Sequence, residues 1–88
     1  MCNREYYLQG VKYGNNLVKV TLDALFGNQL KCCEILVSGD SCRCIENIIA
    51  VPIKILTEEF NNFVVIQLPT LQKYIVNIKT IKNDTRPN

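Results

Sequence analysis

The stretch Leu17–Ser38, LVKVTLDALFGNQLKCCEILVS, decides the fold. Val18, Val20 and Leu22 alternate with Lys19, Thr21 and Asp23, the period of two that marks a β-strand with one face toward a core. Gly27-Asn28 follows, a pair that tolerates the positive φ of a two-residue hairpin loop. With those two residues as the loop, Phe26 stands opposite Gln29, Leu22 opposite Cys33, Val20 opposite Ile35 and Val18 opposite Val37. Apolar then meets apolar on one face. The reverse face sets Lys19 against Leu36, Thr21 against Glu34 and Asp23 against Cys32, a mixed and wetter surface.

Outward from this hairpin the same signals repeat. Ile49, Val51, Ile53 and Ile55 alternate with Ala50, Pro52, Lys54 and Leu56, and Tyr74, Val76 and Ile78 alternate with Ile75, Asn77 and Lys79. Turn residues separate the runs at Gly14-Asn15-Asn16, Ser38-Gly39-Asp40-Ser41, Asn61-Asn62 and Pro69-Thr70. Six strands are expected, at residues 5–13, 17–26, 29–38, 41–56, 63–68 and 73–82, the fourth bending or splitting near Glu46-Asn47. Thr57 to Asn62 is the one stretch suited to a helical turn, with Thr57 as its N-cap. The expected fold class is all-β, a single small antiparallel meander closing into a barrel or sandwich. One domain fills residues 1–88, with an N-terminal arm at 1–4 and a flexible tail at 83–88.

Phe63-Val64-Val65-Ile66 and Ile48-Ile49-Ala50-Val51 are apolar on both faces, and Leu36 and Ile45 fall opposite the apolar face of the first hairpin. One small sheet cannot bury both sides. Either it folds over on itself, or neighbouring subunits complete a face or an edge.

The 88 residues hold five cysteines and no histidine. The usual general base and the usual nitrogen ligand for metals are therefore both absent, and no cationic cluster stands beside a cysteine to make it a nucleophile. The chain is read as non-enzymatic, with no cofactor. A second hairpin at Gly39-Asp40 sets Val37 opposite Cys42 and Ile35 opposite Cys44, so Cys33, Cys42 and Cys44 are expected in the core. The alternative use of those three is a soft thiolate site, for Cu(I) rather than for zinc, because Cys-x-Cys sulfurs on a strand stand about 7 Å apart. Cys2 on the arm and Cys32 on the mixed face are left as candidates for intermolecular disulfides, as an odd cysteine count favours.

Composition bounds the partners. The hydrophobic fraction is 48% and the charged fraction 20%, so the chain has enough apolar surface to fold. The net charge of +2 is dispersed, with only a loose basic group at Lys73, Lys79, Lys82 and Arg86. That falls short of the basic stripe of a nucleic-acid footprint, and RNA or single-stranded DNA stays as the alternative partner, with Tyr6, Tyr7, Tyr13 and Tyr74 as the rings that would stack bases. No apolar run approaches the roughly 18 residues that span a bilayer, so no membrane partner is expected. Met1 to Glu5 opens no secretory leader, which implies synthesis in the cytoplasm.

A cytoplasmically made β-protein bearing cysteines resembles, in organisation, the coat and appendage subunits of bacterial spores and some virion proteins. That resemblance implies a homo-oligomeric structural subunit on a spore or particle surface, locked by disulfides. The segment Val18 to Ile45 also resembles the bent three-strand part of an Sm-like barrel, with Ile75 to Ile81 as its closing strand. It lacks the leading helix and the Arg-Gly turn of those barrels. This second resemblance implies a small-barrel binding module of the Sm-like or oligonucleotide-binding type.

Overall fold

The computed structural model describes residues 5–84. Eight strands follow one another: β1 Glu5–Gly14, β2 Leu17–Phe26, β3 Gln29–Ser38, β4 Arg43–Ile45, β5 Ile48–Ile55, β6 Phe63–Gln67, β7 Lys73–Asn77 and β8 Lys82–Asp84. All neighbouring pairs are antiparallel, and β1, β2, β7, β6 and β5 close into a five-stranded barrel. The remaining three strands hang on its rim: β3 on β2, β4 on β5 and β8 on β1.

The β2–β3 ladder has the register that its two-residue loop dictates, from Phe26 opposite Gln29 through Leu22 opposite Cys33 to Leu17 opposite Ser38. Gly27 takes φ +62° at the first loop position, where a side chain would be strained. The expected fourth strand splits, as its sequence suggests. Glu46 and Asn47 both take positive φ, +47° and +69°, and turn β4 back onto β5 with Ile45 opposite Ile48.

Other expectations are corrected. No hairpin joins β3 to β4. Gly39 N–H donates to the Asn16 carbonyl at 2.8 Å, and Asp40 N–H donates to Ser38 Oγ at 3.3 Å, so a 3₁₀ turn at Gly39–Ser41 carries the chain toward the β1–β2 turn. A Cβ at Gly39 would lie 2.5 Å from Asn16 Oδ1 and 3.3 Å from the Asn16 backbone, so a side chain there would force Asn16 to shift. Residues 57–62 form no helical turn: Thr57 Oγ1 accepts from Val65 N–H at 3.0 Å, and Asn61 and Asn62, at φ +51° and +70°, fold Phe60 back onto Phe63. The strand expected at 73–82 stops at Asn77, whose Oδ1 accepts from Lys79 N–H at 2.8 Å and caps a second 3₁₀ turn, Ile78–Thr80. Beyond it Asn83 and Asp84, expected in a free tail, pair with Tyr6 and Glu5 of β1.

The barrel interior is filled by alternate residues of each strand: Leu8, Val18, Val20, Leu22, Ala24, Val51, Val64, Ile66 and Val76, joined by Leu68 and by Ile35 and Val37 of β3. Each full burial of such a side chain contributes roughly 1.5–3 kcal/mol before conformational entropy is set against it. Strand β1 turns the barrel's corner. Its residues Tyr6–Gly10 pair with β5, and Val11–Gly14 pair with β2. At the switch stands Gly10, where a Cβ would overlap Val18 Cγ1 and lie 3.1 Å from Val51 Cγ2. Only a residue without a side chain lets both partner strands come this close. Among the described residues, no helix is long and apolar enough to cross a membrane.

Two stability changes are expected. Gly10→Ala lowers unfolding free energy by roughly 1–3 kcal/mol, the range for overpacking, and adding Val18→Ala recovers part of that loss in a double-mutant cycle followed by urea denaturation. Additive losses would remove the corner role. Glu46→Gly raises stability by about 0.5–1 kcal/mol, because a left-handed Glu is more strained than the glycine is flexible; a lower denaturation midpoint would contradict this.

Candidate functional site

Among the described residues the barrel leaves the outer edges of three rim strands unpaired, and they differ in length. β4 and β8 have three residues each, while β3 has ten and pairs with β2 alone. Short edges offer little to another chain, whereas a long one is a template for strand addition. In a two-residue hairpin the pair closing the loop is hydrogen-bonded, and bonded pairs then alternate along the ladder. Gln29, Lys31, Cys33, Ile35 and Val37 therefore turn their backbone groups toward β2. Leu30, Cys32, Glu34 and Leu36 turn theirs outward.

Their side chains share the outer face. Leu30 is 57% exposed and Leu36 46%, with Cys32 and Glu34 exposed between them. Lys19 Nζ lies 3.6 Å from Glu34 Oε2 and 5.6 Å from the centroid of the Tyr13 ring, a row of weak contacts running across β1, β2 and β3. Exposed pairs of this kind hold side chains in place and add little stability. The tip of the hairpin adds exposed Phe26.

The cysteines fall into two groups, divided differently from expectation. Cys32 is exposed on the outer face, and Cys33 is half-buried against the core. Cys42, just past the 3₁₀ turn, is also half-buried there, its Sγ donating to the Ser38 carbonyl at 3.5 Å. Burial raises its thiol pKa above the ordinary value. Cys44, expected in the core, is exposed: it sits opposite Ile49 in the β4–β5 hairpin, because β4 pairs with β5 and never reaches Ile35. The thiolate trio Cys33, Cys42 and Cys44 is consequently not assembled, and among the described residues no three His, Cys, Asp or Glu side chains gather to hold a metal. Cys2 lies outside the described residues.

A second feature was not legible in the sequence. An open cleft of about 830 Å³ runs beside β5, with Tyr6, Pro52, Leu56 and Leu71 among its apolar walls and with Arg43, Lys54 and the acidic Asp40 as its charged residues. Its walls come from β1, the β4 region, β5 and the β6–β7 turn, and no local spacing links them. The four tyrosines share no stacking platform: Tyr6 lines this cleft, Tyr7 is half-buried on β1 opposite Pro52, Tyr74 packs on the core, and Tyr13 stands beside Lys19.

No family model, curated protein or solved structure matches this chain.

Thiol accessibility gives a direct test of the placement. With iodoacetamide at pH 8, Cys32 and Cys44 are modified first and Cys42 last, since its raised pKa withholds thiolate and its half-buried position limits access. Cys42 reacting as fast as Cys44 in the folded protein would contradict it.

Proposed function

We propose that the protein is a non-enzymatic structural subunit that associates with copies of itself through the open edge of β3. The observation that carries this reading is the ten-residue strand whose outward backbone groups alternate with exposed Leu30 and Leu36. Edges of monomeric proteins are commonly blunted by charge, proline or brevity, and β3 has only Lys31 and Glu34 for that purpose. Pairing with another β3 satisfies the outward N–H and C=O groups and covers both leucines at once. The chemistry available agrees with a role in assembly. Among the described residues no polar or charged side chain is buried, and the one thiol with a raised pKa is the less reactive for it. Cross-linking through exposed cysteines would lock such an assembly in an oxidising setting, as on a spore or particle surface.

The cleft favours a second reading, a small-barrel module that takes a protein or single-stranded nucleic-acid segment against Tyr6 and Leu71, with Arg43 and Lys54 at its walls. The two readings use different residues and are separated by substitutions in each.

Sedimentation across a range of concentrations in reductant is expected to show reversible association. Leu36→Lys weakens it by roughly tenfold or more, equivalent to about 1.4 kcal/mol, while Leu71→Lys, in the cleft, leaves it unchanged. A monomer at every concentration would refute the assembly reading. Equal loss in both variants would take the contact away from β3.

A further inference from the structure

Resting on the self-association reading above, we infer that two copies pair antiparallel along β3 about a twofold axis at Cys33. This sets the two Cys33 thiols face to face, placed for an intermolecular disulfide.

Symmetry restricts the choices. A twofold axis perpendicular to the shared sheet keeps each face on its own side, so opposed residues must both be outward-facing or both be core-facing. The axis therefore passes at a residue, never between two. Centred on Lys31 or on Glu34, the pair opposes like charges directly, which is unfavourable. Centred on Cys32, each Leu30 faces a carboxylate, Glu34 of the second copy.

Centred on Cys33, each Leu30 faces Leu36 of the second copy, so the two most exposed aliphatic groups of the strand cover each other twice. Residues 29 to 37 all find a partner. The outward groups of Leu30, Cys32, Glu34 and Leu36 then form about eight backbone hydrogen bonds. Cys32, which exposure alone would favour, faces Glu34 of the second copy and not another thiol. Cys33 faces its own copy as a non-hydrogen-bonded pair. Such pairs hold Cα atoms about 4.5 Å apart, at the near end of the range that a disulfide spans.

The step needs an oxidant, and a low-molecular-weight disulfide such as oxidised glutathione suffices. One Cys33 thiolate attacks it, forming a mixed disulfide and releasing one small thiolate. The second Cys33 thiolate attacks the protein sulfur of that bond and releases the other. Two electrons leave the Cys33 pair, and the two protons end on the released thiols. The half-buried positions of both sulfurs keep the reaction slow until pairing brings them together.

The test oxidises the full chain with glutathione disulfide and maps the linked peptide by mass spectrometry, in wild type, Cys32→Ser and Cys33→Ala, beside sedimentation in reductant. The expected result is a covalent dimer linked Cys33 to Cys33, kept in Cys32→Ser and lost in Cys33→Ala. Association in reductant with no link, or with a link through another cysteine, would overturn the register and leave self-association standing. A monomer in reductant with no Cys33 link would overturn both. Should Cys33→Ala fail to fold by circular dichroism, the wild-type peptide map decides alone.

Discussion

A β-strand has two hydrogen-bonding edges, and β2 divides one of them between β1 near the first turn and β7 at Ala24. The other edge goes wholly to β3. Closing the barrel this way covers the interior with five strands and leaves the sixth long segment outside it. The ladder that best specifies the fold therefore also creates its most exposed edge. Gly10 makes the arrangement possible, since β1 reaches β2 only by bending where Val18 and Val51 already meet. Core and surface are linked through that one strand crossing.

The parts of the fold that a local rule governs were readable. A two-residue loop at Gly27-Asn28 fixes ten paired positions, because register follows from loop length and side-chain parity follows from register. The turn at Asn61-Asn62 was marked by residues that accept positive φ, and the one at Glu46-Asn47 by a run too long for a single straight strand. What failed was governed at a distance. Gly39 looks like a hairpin turn in sequence, yet it bonds to Asn16, over twenty positions earlier, and that contact sends β4 to β5. Cys44 was misplaced as a direct consequence. Gly10 went unread, although a glycine inside a strand pattern is itself a signal of a bend or close approach.

The candidate site divides along the same line. The mixed outer face of β3, with Leu36 and Cys32 on it, came from the hairpin register. That the edge beside this face stays free required knowing that β4 pairs elsewhere. The cleft, built from four separated segments, had no sequence signature. Its walls combine residues of β1, the 3₁₀ turn after β3, β5 and the β6–β7 turn, which only the tertiary fold brings together.

The cysteines gain their meaning from position and not from number. Cys42 is held against the core by its contact with Ser38, Cys44 is exposed on a short hairpin, and the Cys32-Cys33 pair occupies the middle of the open strand. Adjacent residues on a strand point to opposite faces, so a partner strand brings different groups to each of them. Amide hydrogen exchange at two protein concentrations, in reductant, tests the central claim most directly. Protection at Leu30, Cys32, Glu34 and Leu36 should rise with concentration, while Cys33 and Ile35, bonded to β2, stay protected throughout. Fast exchange at those four amides at every concentration would show that the β3 edge is never covered.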